Sequence, residues 1–498
     1  MAAVAAMHPL VARGGPLQRT TPTKTIGIQI GTVSFIDEGV DQVLDNIQEY
    51  GAANTIFLNT FGWDRGLNGR QIYGHPFPDH GGQEYDLDLI GGNYATPHLE
   101  YYANTVLRDT KAPDYGDFDV LEKVLPKTKA RGIKVYAACI DSFRGSVPNI
   151  QKLSEVDMYG NRVGAFCNLN PDWRSFVIGL VEDTCKSYDV DGVLWFAERN
   201  GPLLNAIGAS HRASIDPSGA TCFCEFHQAE ARERGIDVRR AREGYIELEK
   251  YVLQALAGQR PSDGYLVEFL RLLFEYPEII AWEKLWVAGK LQLFGDVYGA
   301  AKSSIRGEGY GLPPEQRRQV RVGFHVAHVN SFNFLYRAER RYESIARNAD
   351  FLKIVAYNNA GGPRYNRYIK NLTSTLFRDV PPEEMMRFNN YILNYEEKSF
   401  DEVSTAGLSS EYVGRETRRA LDGVKGQCEI YTGIDVDIPT GEGLKHTSPE
   451  DVYGATKAAL EAGAQGLIFS RKYSEMKLAN LGGGGRAVRE FLDRVEGG

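Results

Sequence analysis

No apolar run in the 498-residue chain reaches the roughly 18 residues that a membrane-spanning helix needs, so no membrane partner is expected. Long runs of Lys or Arg are missing too. With a formal net charge of -8, a nucleic-acid partner is not expected either. Cysteine is scarce. The six residues Cys139, Cys167, Cys185, Cys222, Cys224 and Cys428 are too few for a disulfide scaffold in so long a chain, and a reduced interior is the simpler reading. A Gly-rich phosphate turn is also lacking after the first apolar run. Gly31-Thr-Val-Ser-Phe stands where an open, doubly wound sheet would carry one. Residues 1–23 have no basic leader region and no twin arginine. They read as a disordered tail on a cytoplasmic protein. The other reading is the remnant of an export signal, which would make the protein periplasmic or secreted.

What the chain does have is one repeating unit: a short apolar strand, a polar loop, an amphipathic helix and a glycine before the next strand. Strands are expected at 26–33, 55–60, 133–140, 192–197, 320–326, 351–357, 428–436 and 466–470. The first helix carries Val40, Val43, Leu44 and Ile47 at helical spacing. Asn170-Pro171 and Ser448-Pro449 are helix starts, with Pro at the first helical position. Alternation of this kind predicts an α/β fold, a closed (β/α)8 barrel over 24–498. Two stretches interrupt the rhythm. A loop of more than 50 residues follows strand 2, and a mostly helical insertion at 200–318 follows strand 4.

In such barrels chemistry gathers at the C-terminal ends of the strands. Strand 4 runs through Trp195 into Glu198 and Arg199, and its apolar neighbours would raise the Glu198 pKa as a general acid requires. A surface pair between Glu198 and Arg199 is the plainer alternative. Strand 7 ends in Asp435 and Asp437, which at period two point the same way; either one could instead cap the following loop. Asp141 ends strand 3, His325 and His328 follow strand 5, and Asn358 follows strand 6. Arg471, Lys472, Tyr473 and Glu475 follow strand 8, and Trp63, Asp64 and His98 lie in the loop after strand 2. All are candidates for binding sugar hydroxyls or stacking on a ring. Cys222, Cys224 and His227 are candidate ligands of a structural zinc, with His211 as a fourth. Small buried residues beside a turn are the alternative reading. The run Leu481 to Gly485 is either a flexible linker or a phosphate loop.

Several motifs resemble uncharacterised bacterial barrels known as hypothetical glycosyl hydrolases, near the family 42 type of β-galactosidase. They are Asp189-Val-Asp191-Gly192, the rim from Glu198 through Arg199 to Pro202-Leu203, Cys222-Phe-Cys224, Pro126 to Gly132, and Asn168-Leu-Asn170-Pro171. The resemblance spans roughly 25–490. It implies a general acid at the end of strand 4, matched by Glu198, and a nucleophile at the end of strand 7. There this chain has Asp435 in place of the usual Glu. Ala197 precedes Glu198 where an Asn is usual, and His227 replaces a third cysteine.

The expected function is hydrolysis of a glycosidic bond by Glu198 and Asp435, with a carbohydrate substrate and no required cofactor. Trp63, Trp195 and Tyr473 would line the sugar subsite. Two other readings stay open. One is a metal-dependent sugar isomerase, epimerase or lyase built on Glu198, Asp435, a strand 5 His and Glu475. The other is a glycan-binding barrel without catalysis. An insertion of this size at a barrel mouth is compatible with a homo-oligomer.

Overall fold

The computed structural model describes residues 24–305 and 318–496, so the expected tail at 1–23 lies outside the described residues. Eight parallel strands close into a barrel: β1 (Thr25–Gly31), β2 (Thr55–Gly62), β3 (Lys134–Ile140), β4 (Gly192–Phe196), β5 (Arg321–Val326), β6 (Phe351–Val355), β7 (Glu429–Asp435) and β8 (Gly466–Ser470). Each strand pairs with its neighbours in chain order. Closure comes from β8 on β1, where Thr25 sits opposite Gly466 and Ile28 opposite Phe469.

Alternation along each strand sorts the side chains. Phe57, Tyr136, Leu194, Phe196, Phe351, Tyr431 and Ile468 fill the barrel interior. Phe351 and Tyr431 stack there with ring centroids 4.6 Å apart. So many rings fit only because glycines oppose them: a Cβ on Gly323 would lie 2.2 Å from the Phe351 ring. Residues of the other phase, such as Val193 and Trp195, face outward and pack with Trp173 and Phe176.

The outer layer includes α1 (Val40–Glu49), α2 (Val120–Ala130), α3 (Pro171–Ser187), α4 (Glu278–Ser304), α5 (Gly361–Leu372), α6 (Ser410–Val424), α7 (Pro449–Glu461) and α8 (Leu478–Glu496). Both expected helix starts carry side-chain caps. Asn170 accepts from the amides of Asp172 and Trp173, and Ser448 forms a reciprocal capping box with Asp451. Within 200–318, α4 packs as a barrel helix between β4 and β5. Its Phe294 stacks on Phe324 at 4.1 Å, and its Asp296 pairs with Arg174 of α3 at 2.6 Å. The helices before it, Glu225–Glu233, Val238–Leu256 and Tyr265–Glu275, form the added layer. Among the described residues no helix is long and apolar enough to cross a membrane.

The glycine run after β8 is neither a linker nor a phosphate loop, because it lies inside α8. There it permits close approach: a Cβ on Gly485 would lie 1.8 Å from the Tyr50 carbonyl oxygen. Gly485→Ala is therefore expected to cost about 1–3 kcal/mol or more through overpacking of α8 on the α1–β2 turn. A thermal melt unchanged from wild type would refute this.

Candidate active site

The mouth of the barrel, at the C-terminal strand ends, holds a cleft of about 840 Å³. Six of the residues singled out from the sequence line it: Asp64, Asp141, Glu198, Arg199, His325 and Arg471. Five more polar residues line it that sequence reasoning did not select, namely Gln29, Ser142, Lys353, Tyr357 and Arg364. Lys353 and Gln29 carried a readable signal, since each is a polar residue inside an otherwise apolar strand.

Glu198 reaches the cleft because it continues the inward phase of Leu194 and Phe196 beyond the end of β4. Its side chain keeps 60% of its surface open to the cleft and hydrogen-bonds to Nε2 of His325. Burial among its neighbours pushes the carboxyl up. His325, Arg364 and Lys353 pull it down harder, and Glu198 is held well below the usual carboxylate range. The sequence reading expected the opposite shift. It fails because Trp195 faces outward, fully buried, and because Lys353 and Arg364 come from strand ends distant in sequence.

The surrounding groups follow the same balance. Burial pushes His325 below its ordinary value although Glu198 pulls it up. Nε2 of His325 faces the Glu198 carboxylate, and Nδ1 is buried without a partner. Lys353 is wholly buried at the floor, hydrogen-bonded to Gln29 and 3.3 Å from the Tyr357 hydroxyl. Burial brings its pKa down to about 7, against the pull of Glu198. Asp141 meets Arg199 at 3.1 Å. Burial pushes its carboxyl up more than Arg199 and Lys290 pull it back, so it ends above the ordinary aspartate range.

Other expected site residues lie elsewhere. Asp435 is fully buried, and its two oxygens accept the amides of Asn358 at 3.1 Å and Ala360 at 2.7 Å. The strand 7 carboxylate thus holds the β6 loop in place of facing Glu198. Asp437 does not share its phase, because its backbone is left-handed (φ 55°) and its carboxylate binds Asn480 and the Lys477 amide. Asn358 is buried beside Asp435. Trp63 packs against Phe61 and Phe176, so neither expected tryptophan lines the cleft. His98 binds Asp183 on α3 at 2.7 Å. His328 is buried between the Tyr412 hydroxyl (3.0 Å) and Arg364 (3.2 Å), where it supports Arg364 from behind. Lys472 pins the carbonyls of Gly69 and Arg70, and Tyr473 bonds Asn46 and Glu38. Glu475 is buried against Arg471 and orients that guanidinium toward the cleft.

A second cluster lies outside the cleft lining. Cys167, Cys222, Cys224 and His227 are all buried, and their ligand atoms lie within 4.8 Å of one another. Sγ of Cys167 is 3.5 Å from Sγ of Cys224 and 3.4 Å from Nδ1 of His227, and Cys224 is 3.5 Å from the same nitrogen. Tetrahedral coordination with metal–sulfur bonds near 2.3 Å and metal–nitrogen bonds near 2.0 Å gives edges of about 3.5–3.8 Å. The fourth member is Cys167, not His211. His211 lies instead beside His328, with ring centroids 6.5 Å apart. The cluster is tied to the cleft through Arg199, which donates to Asn168 at 2.9 Å and meets Glu155 at 3.3 Å. Glu155 is itself held by Thr221 and Trp286.

No family model matches the sequence, and no curated protein matches it. Solved structures of similar fold include a β-galactosidase from the psychrophilic Marinomonas ef1, at TM-score 0.50 and 9% identity, covering 95% of this chain and 60% of that one. Another is α-L-fucosidase isoenzyme 2 from Paenibacillus thiaminolyticus, at TM-score 0.48 and 12% identity, covering 95% and 50%. A third is the PgaB (BpsB) glycoside hydrolase domain from Bordetella bronchiseptica, at TM-score 0.45 and 12% identity, covering 90% and 94%. The chain spans half the length of the fucosidase and 60% of the galactosidase. At 9% identity the likeness to the β-galactosidase is one of fold.

Proposed function

We propose that this barrel hydrolyses a glycosidic bond, with Glu198 as the ionised carboxylate and Asp141 as the proton donor. The observation that carries the reading is the opposite displacement of two carboxyl groups lining one cleft. Glu198 is held low by surrounding cations and Asp141 is pushed up by burial. Paired acids whose environments drive their pKa values apart are what acid–base cleavage of an acetal requires. Glu198 would attack the anomeric carbon or take a proton from an attacking water, while Asp141 protonates the leaving oxygen. Arg199 keeps Asp141 in place, and His325 fixes the orientation of Glu198. The galactosidase of similar fold agrees with this reaction class by analogy of fold alone. A metal-dependent isomerase finds less support, because its ligands do not converge. Asp435 is committed to backbone amides and Glu475 to Arg471.

We also propose that Cys167, Cys222, Cys224 and His227 hold a zinc ion. A set of four soft, buried donors with no open position suits a structural ion, whose part is to cross-link the chain.

The test is release of aryl alcohol from a panel of aryl α- and β-glycosides, with the anomer of the first product read by NMR. Activity requires Glu198 ionised and Asp141 protonated. The kcat/KM profile should therefore be a bell whose acid limb lies below the ordinary glutamate value and whose alkaline limb lies above the ordinary aspartate value. Asp141→Asn should remove the alkaline limb and slow substrates with poor leaving groups most. A profile unaltered in Asp141→Asn would remove Asp141 from this role.

A further inference from the structure

The cleft continues past Glu198. Arg364 lines it on one side and, on the other, lines an adjoining depression of about 630 Å³ with His211, Arg367, Lys370, Ser404 and Thr440. Arg364, Arg367 and Lys370 recur at intervals of three along α5, which places them on one helix face. No carboxylate lines this depression. Among the described residues none of the three cations forms an ion pair. Arg364 touches His328 Nδ1 at 3.2 Å, Lys370 lies 5.5 Å over the Phe400 ring, and Arg367 is exposed. Other exposed arginines, such as Arg239 with Glu243 at 2.7 Å and Arg486 with Glu450 at 2.8 Å, do sit in ion pairs. On a chain of net charge -8, a depression lined by three cations and no carboxylate concentrates positive charge, with Arg364 alone shared with Glu198. At His211 burial and then Arg364 push the pKa down to about 3, with smaller help from Arg212 and Arg367 and against the pull of Glu198. Nδ1 of His211 has no hydrogen-bond partner.

We propose that this depression is a subsite for an acidic sugar, so that the substrate is a glycan bearing a carboxylate or sulfate on the unit next to the ring held over Glu198. The assignment rests on the carbohydrate reading above. Charge placement fixes which unit carries the acid. An ionised Glu198 repels an anion directly above it, whereas Arg364 stands between Glu198 and the depression and attracts one there. A neutral sugar would leave Arg367 and Lys370 without a counter-charge.

The experiment is calorimetric binding to the Glu198→Gln protein, which does not consume the sugar. The probes are tetragalacturonate, a sulfated galactan tetrasaccharide and neutral β-1,4-galactotetraose, at low and high salt. At least one acidic probe should bind about tenfold or more tighter than the neutral one at low salt and lose most of that advantage at high salt. The acidic probe that binds identifies the group. Arg367→Glu with Lys370→Glu should abolish the advantage, while Arg367→Lys with Lys370→Arg should keep it. Both residues are exposed, so the melting curve should hold and confirm folding. Equal binding of acidic and neutral probes overturns the subsite, as does an acidic preference indifferent to the charge reversal. The readout needs no turnover. Salt-sensitive, variant-sensitive binding without hydrolysis of any glycoside would refute the hydrolase and leave the subsite. Hydrolysis with no acidic preference would do the reverse.

Discussion

Replacing Glu198 by Gln should lower turnover on the best substrate by roughly 10²–10⁴-fold while leaving sugar binding and thermal stability near wild type. Gln keeps the shape and can still accept the Nε2 proton of His325, so the local packing survives. What it removes is the negative charge at which Arg364 and Lys353 are directed. In the proposed reaction that charge would be the reactive group under either stereochemical course. A second effect should accompany the first. Glu198 holds Lys353 up against its own burial, so without it the ammonium should lose its proton below its present value of about 7. Full activity in Glu198→Gln would sink the assignment of this carboxylate. Unchanged glycan binding with no turnover in either protein on any substrate would leave a binding barrel.

Removing metal from the thiol cluster should have the second large effect, and on stability more than on chemistry. The four donors come from segments near 167 and 222–227, brought together across 60 residues of chain. Structural zinc contributes folding free energy directly, and its loss leaves thiols and an imidazole packed without the bond that joined them. Purified protein should carry about one zinc per chain. A strong chelator should lower Tm by on the order of 5–10 °C, and added zinc should restore it. Cys167→Ala, which takes away the ligand most distant in sequence, should fall to stoichiometry well below one. His211→Ala should retain the metal. Full-length protein free of metal and indifferent to chelator would remove the proposal.

The strands were legible because a buried parallel strand is a compact apolar run between turn signals, and all eight barrel strands lie where that pattern placed them, within a residue or two at their ends. Glu198 was legible for a related reason. A carboxylate one step beyond an inward-facing apolar run has little choice of direction. The misplaced residues share another cause. Asp437 left its phase because the backbone turns left-handed after β7, which alternation alone does not foretell. Asp435 has the expected phase, but its oxygens are claimed by amides of the β6 loop, a partner some 75 residues away. The pKa of Glu198 was misread because its determining neighbours, Lys353 and Arg364, lie on β6 and α5 and enter only when the barrel closes. Cys167 escaped notice as a ligand because its partners are close in space, not in sequence.

The thiol cluster also bears on how the mouth can move. Asn168 and Glu155, both gripping Arg199, follow or precede strands whose neighbours reach the cluster, and the Val156 amide contacts Cys222 at 3.4 Å. The loops after β3 and β4 therefore form one stiff jaw. The long segment after β2 is tied to the same jaw, because the Trp63 amide donates to the Ser142 hydroxyl at 2.8 Å and Arg144 donates to the Leu89 and Ile90 carbonyls at 2.6 and 2.8 Å, and Lys472 fastens it to β8 through the Gly69 carbonyl. A ligand would meet walls at Asp141, Glu198 and Asp64 that are already fastened to one another, so fit would come from the shape of the sugar more than from closure of the mouth.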